Sequence, residues 1–245
     1  MEAILLGCGE AFDEDLPNTS VLLKFSSTLL LDCGFSVPPQ VWRAVPDANT
    51  IDAVYISHAH ADHYFGLPAL LGRMWEDGRT KPLSLISQAA VLDQIREALE
   101  LGYRGLPARF RYSIEQQAVA PGQTLRIGDA SLDFAHTSHP SPNLAIRIEA
   151  EGKKVCYSGD GMFTDASRRL FCGADLLIHE AYSFERIPVH ADIGRLIEMA
   201  EQEGVRRLAL VHVQRDLRRN PERILRAIQR KPHFDLPEPA SRIEI

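Results

Sequence analysis

Residues 58–63 read His58-Ala59-His60-Ala61-Asp62-His63. Upstream lies Asp52-Ala53-Val54-Tyr55-Ile56, an apolar, β-prone run, and downstream Tyr64-Phe65-Gly66-Leu67 opens an apolar helical pattern. Four metal-competent side chains therefore fall within six positions of a strand-to-helix turn. His58 and His60 alternate by two and point the same way from an extended segment. Asp62 and His63 turn into the helix start and face a second point nearby. Such a cluster suits two divalent ions a few ångströms apart, which clamp and activate a water for attack. The alternative is a polar surface turn rich in histidine, but neutral imidazole is the commonest transition-metal ligand.

This stretch resembles the HxHxDH signature of the metallo-β-lactamase fold hydrolases. The resemblance implies an α/β protein, a four-layer αββα sandwich with metals at one edge of its two sheets. Further segments match the remaining pieces in order. Leu132-Asp133-Phe134-Ala135-His136 reads as a strand and His139-Pro140-Ser141-Pro142 follows it; His139 stands eight residues before Arg147, as in the ribonuclease Z-like branch. His139 is therefore preferred over His136 as ligand. Lys154-Val155-Cys156-Tyr157-Ser158-Gly159-Asp160 is similar to the family's YSGDT segment, with Gly161 in place of the threonine. Arg207-Leu208-Ala209-Leu210-Val211-His212 matches the strand that ends in the last ligand. The resemblance implies that His58, His60 and His139 bind one metal and that Asp62, His63 and His212 bind the other. Asp160 and a hydroxide would bridge them. Mixed imidazole and carboxylate ligands without thiolate fit two Zn2+ ions, with manganese or iron also compatible.

Asp62 is expected both to bind metal and to accept the proton of the attacking water. The ribonuclease Z-like enzymes also use a glutamate and a histidine to protonate the leaving group. Glu180, at the end of Asp175-Leu176-Leu177-Ile178-His179-Glu180, resembles the first. His190 stands twenty-two residues before His212, the spacing of the family's HST motif, but here the motif is His190-Ala191-Asp192 and lacks its hydroxyls. The bland alternative for His190 is a residue at the start of the amphipathic helix predicted over Ile193–Glu203. His179 reads as structural.

Composition agrees. A chain of 245 residues suits one domain, 1–245, with a sizeable core. No segment has the uninterrupted apolar length needed to span a bilayer. The N-terminus lacks the basic region of a signal peptide. Cys8, Cys33, Cys156 and Cys172 are scattered and read as reduced, mostly buried thiols of a cytoplasmic protein. Strands are predicted at Ile4–Gly9, Val21–Phe25, Thr28–Leu31 and Leu83–Ile86. Helices are predicted at Leu67–Trp75, Ala89–Glu100, Asp165–Phe171 and Pro221–Gln229, with Gly102–Phe110 and Pro232–Pro239 as loops. Asn18, Asp32 and the nearby glycines read as supports. Leu67-Pro68-Ala69-Leu70-Leu71 is either core or a face of a homodimer, which related enzymes form through this region.

The expected activity is metal-dependent phosphodiester hydrolysis, on a small or cyclic phosphodiester or on RNA. Ribonuclease Z proper carries a long arm that grips transfer RNA, and Arg147 to Tyr157 leaves room only for a tight Glu151-Gly152 hairpin. A net charge of −6 does not favour a polyanion at long range. Residues 214–231, by contrast, hold seven basic side chains against Asp216 and Glu222. They are either a phosphate-binding patch or a solvated helix face. Two alternatives stay open: a carboxyl-ester, lactone or thioester hydrolase on the same metals, and a metal-containing binding or regulatory protein.

Overall fold

Leucine- and valine-rich runs bounded by turn residues become the strands. A computed structural model describes residues 1–231 and 233–245. The chain begins β1 (Glu2–Gly7), β2 (Ser20–Lys24), β3 (Thr28–Leu31), α1 (Pro38–Ala44), β4 (Ala53–Tyr55), α2 (Ala61–Tyr64) and α3 (Leu67–Glu76). It continues with β5 (Leu83–Ser87), α4 (Ala89–Gly102), β6 (Ile114–Ala118), β7 (Thr124–Ile127), β8 (Ala130–His136), β9 (Leu144–Ala150) and β10 (Lys153–Tyr157). Last come α5 (Asp165–Phe171), β11 (Leu176–Glu180), α6 (Ile193–Gln202), β12 (Leu208–Val211), α7 (Arg215–Arg219), α8 (Glu222–Ile228), β13 (Phe234–Asp235) and β14 (Arg242–Glu244).

The strands form two seven-stranded sheets, ordered β14-β1-β2-β3-β4-β5-β6 and β13-β12-β11-β10-β9-β8-β7. Between them Leu5, Leu23, Leu31 and Tyr55 meet Leu132, Ile146, Tyr157, Ile178 and Val211 in one buried cluster. Alternate residues of the first sheet, Leu22, Leu30 and Val54, face Val41, Leu70 and Leu92 of the helices α1, α3 and α4. Cys156, Leu177 and Leu210 of the second face Leu170, Leu196 and Ile224 of α5, α6 and α8. The period of two along a strand sends successive side chains to opposite layers. With both faces covered, the central strands read as continuous apolar runs. The result is the αββα sandwich that the resemblance implied. Leu67, Leu70 and Leu71 are buried in this packing and are core.

Several expectations need correction. The edge strands β6 and β7 were not predicted: Ile114-Glu115-Gln116-Gln117-Ala118 has no fully buried residue, so it carries little apolar signal. Helices α1 and α7 were also missed. Part of the tail expected as loop forms β13, which pairs with β12; Pro232, the first residue of that tail, lies outside the described residues. The exposed Cys172 departs from the other three cysteines, which are buried, and all four are free.

The topology gathers the site. β10, β11 and β12 run parallel, and β9 runs antiparallel to both β8 and β10. The C-terminal ends of β8, β10, β11 and β12 therefore share one edge, the position where α/β sheets place their ligands. The turn between β9 and β10 is the two-residue Glu151-Gly152, with φ of 53° and 72°. Positive φ at both central residues matches the right-handed twist of a tight hairpin.

Candidate metal centre

His58 follows β4, and His60 occupies the position that starts α2 with an extended backbone, φ −96° and ψ 147°. The helical turn then brings Asp62 and His63 inward, where both are buried. His139 follows β8, Asp160 follows β10, Glu180 ends β11, and His212 follows β12. His58, His60, His139 and Asp160 each place one donor atom within 4.8 Å of the others. Asp62, His63, Asp160 and His212 do the same, so Asp160 is common to both groups. The exposed His60 and half-buried His139 mark the open side, whereas the second group is wholly buried. His136 lies outside both groups.

The donor atoms suit metal. Nε2 of His63 lies 3.1 Å from Asp62 Oδ2 and 3.3 Å from Asp160 Oδ1. Nε2 of His212 lies 3.2 Å from Asp62 Oδ2 and 3.5 Å from Asp160 Oδ2. Tetrahedral zinc bonds of about 2.0–2.1 Å would set neighbouring ligand atoms roughly 3.3 Å apart. His58 Nε2, His63 Nε2 and Asp160 Oδ1 are buried without a hydrogen-bond partner. Each such orphan costs roughly 1–3 kcal/mol, and two divalent ions, one in each donor group, would between them satisfy all three. Among the protein groups themselves, burial and then the neighbouring His63 push His58 below the usual histidine range. Burial acts the same way on His63 and His212, but the carboxylates outweigh it. His63 is held well above its ordinary value, chiefly by Asp160 and Asp62, and His212 is pushed up to about 9, chiefly by Asp160. Burial would raise Asp62 and Asp160, yet His63 and His212 hold both carboxylates well below theirs.

Behind the donors stands Asp32, fully buried. Its Oδ2 accepts from His63 Nδ1, from the Ser57 hydroxyl and from the Tyr157 hydroxyl, each at 2.7 Å. Its Oδ1 accepts from the Ser57 backbone N–H, also at 2.7 Å. The bond to Nδ1 leaves His63 Nε2 as the lone-pair end facing the centre. His139 is oriented in the same way, its Nδ1 donating to the Ser141 carbonyl at 3.0 Å. Asn143 steadies the Asp160 turn: its side chain accepts from Asp160 N and donates to Ser158 O. Asp32 and His212 adopt left-handed backbones, φ 57° and 53°, a mild strain of the kind that gathers at functional sites. Gly34 lets the Asp32 segment pack onto α2, since a Cβ there would lie 1.9 Å from the Asp62 carbonyl oxygen. Asp32 and Gly34 act as the supports the sequence suggested. Ser57, Tyr157 and Asn143 were missed, although Tyr157 stands within the quoted Tyr-Ser-Gly-Asp segment.

Glu180 and His190 meet beside this centre. His190 Nδ1 bonds Glu180 Oε1, and the Gly161 backbone N–H donates to Oε2. Burial lowers the His190 pKa, but the bond to Glu180 outweighs it and the net shift is upward. Asp160, Glu180 and His190 also bring one donor atom each within 4.8 Å of the others. The glycine at 161 is required: its φ is +98°, and a Cβ would lie 2.6 Å from the Ser138 carbonyl oxygen. His179 is fully buried and donates from Nδ1 to the Glu180 carbonyl at 2.7 Å, and burial pushes its pKa down to about 4. It thus has the structural setting expected. Four of the seven basic residues of the run 214–231 pair with acids elsewhere in the chain. Arg215 pairs with Glu10, Arg218 with Glu238, Arg219 with Glu14 and Asp15, and Lys231 with Glu201. The Arg223 guanidinium lies 4.1 Å over the Phe184 ring. Arg223, Arg226 and Arg230 are exposed and make no ion pair among the described residues.

Comparison with known proteins agrees with this architecture. Ribonuclease Z of Pseudomonas putida strain KT2440 is 26% identical over 96% of this chain and 89% of its own. The metallo-β-lactamase fold protein YhfI from Bacillus subtilis superposes with a TM-score of 0.82 at 24% identity, covering 100% of this chain and 99% of that one. The short form of human tRNase Z superposes at 0.81 with 22% identity, again over 100% and 99%. These two structural likenesses concern the fold, which is that of the metallo-β-lactamases in its ribonuclease Z-like form. A family model described as "Anti-Pycsar protein Apyc1" matches residues 1–228. With nearly its whole length matched, the chain belongs to the Anti-Pycsar protein Apyc1 family.

Proposed function

We propose that this chain is a dinuclear metal-dependent phosphodiesterase acting on small or cyclic phosphodiesters or short RNA. The observation that carries the reading is Asp160 shared by two donor groups, with the Glu180–His190 pair at the same point. In this reading His58, His60 and His139 hold one ion, Asp62, His63 and His212 hold the other, and Asp160 contributes to both. Two divalent ions, which we take to be zinc, would supply an acidified water and charge neutralisation at the phosphoryl oxygens. Asp62 accepts the proton that the attacking water loses as its oxygen forms the new P–O bond. Glu180 holds Nδ1 of His190, so that Nε2 of the imidazolium is free to give its proton to the leaving oxygen as the old P–O bond breaks. One proton is taken up and one is given. The relative named ribonuclease Z supports the phosphodiester class. The tight Glu151-Gly152 turn provides no RNA-gripping arm at that position and favours smaller substrates. Among the described residues no helix is long and apolar enough to cross a membrane, and the four free thiols suit a reducing compartment.

The test is hydrolysis of bis(p-nitrophenyl) phosphate beside a p-nitrophenyl carboxyl ester and a thioester, with zinc- and manganese-loaded protein. Diester turnover that disappears in Asp62→Ala is expected. Turnover of the carboxyl ester or thioester alone would sink the reading and reassign the centre to acyl hydrolysis.

A further inference from the structure

His190 lies near the end of the irregular connection, residues 181–192, between β11 and α6. The connection is pinched where the Ile193 N–H donates to the Ser183 carbonyl at 2.8 Å. The residues after His190 give its ring no support. Ala191 is apolar, and the Asp192 carboxylate is spent capping α6 through Arg195 N at 3.1 Å. Glu180 holds the imidazole at one edge atom, Nδ1. A single edge contact leaves the ring free to swing about that bond. The face of the ring is covered by Tyr182, with centroids 4.3 Å apart and planes within 18°. The rings of His139 and His212 lie farther off, at 6.0 and 6.2 Å. Among the described residues the Tyr182 hydroxyl has no hydrogen-bond partner, so the ring itself makes the contact.

We propose that Tyr182 is a positioning residue for His190: its aromatic face fixes the imidazole plane so that Nε2 points at the leaving oxygen. This rests on the phosphodiesterase reading above. In the step concerned, the P–O bond breaks with its electron pair going to the leaving oxygen, which takes the Nε2 proton of His190. Misplacement of the donor matters most when that oxygen is a poor leaving group. Tyr182→Phe keeps the stack, whereas Tyr182→Leu removes it.

The experiment compares the wild-type full chain with Tyr182→Phe, Tyr182→Leu and His190→Gln, all metal-loaded, on bis(p-nitrophenyl) phosphate and diphenyl phosphate. The p-nitrophenolate leaves readily without a proton, and the phenolate benefits from one. For Tyr182→Leu, kcat on diphenyl phosphate should fall roughly two- to twelvefold more than on the nitrophenyl diester, at unchanged KM. Tyr182→Phe should match the wild type, and His190→Gln should show the same selectivity in larger measure. A second readout is independent of turnover. The His190 ring-proton resonances, assigned by their loss in His190→Gln, should be shifted upfield by the Tyr182 ring in wild type and Tyr182→Phe, and released in Tyr182→Leu. Equal losses on both diesters would overturn the positioning role, as would His190 resonances unmoved by Tyr182→Leu. If the wild type hydrolyses neither diester while the resonances do move, the phosphodiesterase reading fails and takes the leaving-group role with it, although the stack is real.

Discussion

Replacing Asp32 by asparagine keeps the shape of the side chain and removes its charge and one acceptor. The consequence follows from counting donors. Oδ2 receives three hydrogen bonds and Oδ1 one, all at 2.7 Å, in a site with no exposure. An amide can satisfy only one side. If its oxygen keeps His63, Ser57 Oγ and Tyr157, its NH2 group faces the Ser57 N–H, donor against donor. If it flips, the NH2 group faces His63 Nδ1 and forces the tautomer that carries its proton on Nε2, toward the ions. One buried donor left unpaired costs about 1–3 kcal/mol, and weakening the bonds that a carboxylate strengthened adds a similar amount. A loss of about 2–6 kcal/mol in unfolding free energy is expected, read by urea denaturation of the metal-free protein. Loss of the carboxylate that orients a ligating imidazole typically lowers metal affinity 10- to 100-fold, about 1.4–2.7 kcal/mol at 1.36 kcal/mol per decade. Competition with a chromophoric zinc chelator measures this. A folded Asp32→Asn protein with wild-type zinc affinity would refute the claim that Asp32 sets the His63 tautomer.

Metal affinity should rise with pH between 7 and 9. His63 and His212 have raised pKa values in the metal-free chain, that of His212 about 9, so each must lose a proton before it can ligate. The sign on stability is opposite. A raised histidine pKa stabilises the metal-free fold fully below the unfolded value near 6.5, and that contribution is lost as pH rises through 9 for His212. Manganese titrations by calorimetry, in buffers of different ionisation heat, should show about one to two protons released at pH 7; no release would contradict the assignment. Gly161→Ala places a Cβ 2.6 Å from Ser138 O at a φ of +98°, and the backbone strain alone is about 1–3 kcal/mol. Its unfolding midpoint should drop accordingly and the leaving-group step should weaken as Glu180 loses its backbone donor. A midpoint equal to that of the wild type would show that the turn relaxes freely.

Much of the centre is legible along the chain because contiguous residues carry it. His58, His60, Asp62 and His63 need only a strand, a turn and half a helical turn to converge. His139, Asp160 and His212 each follow an apolar strand, and a strand end is a place where side chains reach solvent or a ligand. Elements with weak apolar contrast were harder to read. β6 and β7 lie at sheet edges, where one neighbour and little burial suffice, and β14 exists only because it pairs with β1 across the length of the chain. Spacing left the basic run 214–231 open between a phosphate patch and a solvated helix face, because its partners Glu10, Glu14, Asp15, Glu201 and Glu238 are remote in sequence.

By itself the sequence determined the metal-competent cluster at 58–63, since the reach of neighbouring side chains is a local property; the layered sandwich and the order of the later donors were legible through the resemblance of its motifs to those of the metallo-β-lactamase fold. The tertiary structure alone decided that Tyr157 and Ser57 converge with His63 on Asp32, that Asn143 holds the Asp160 turn, and that Tyr182 covers His190. Those contacts join separate strands and loops at one sheet edge. Their geometry depends on strand order, register and the close approach allowed at Gly34 and Gly161, and such information is a property of the assembled sheets rather than of any segment.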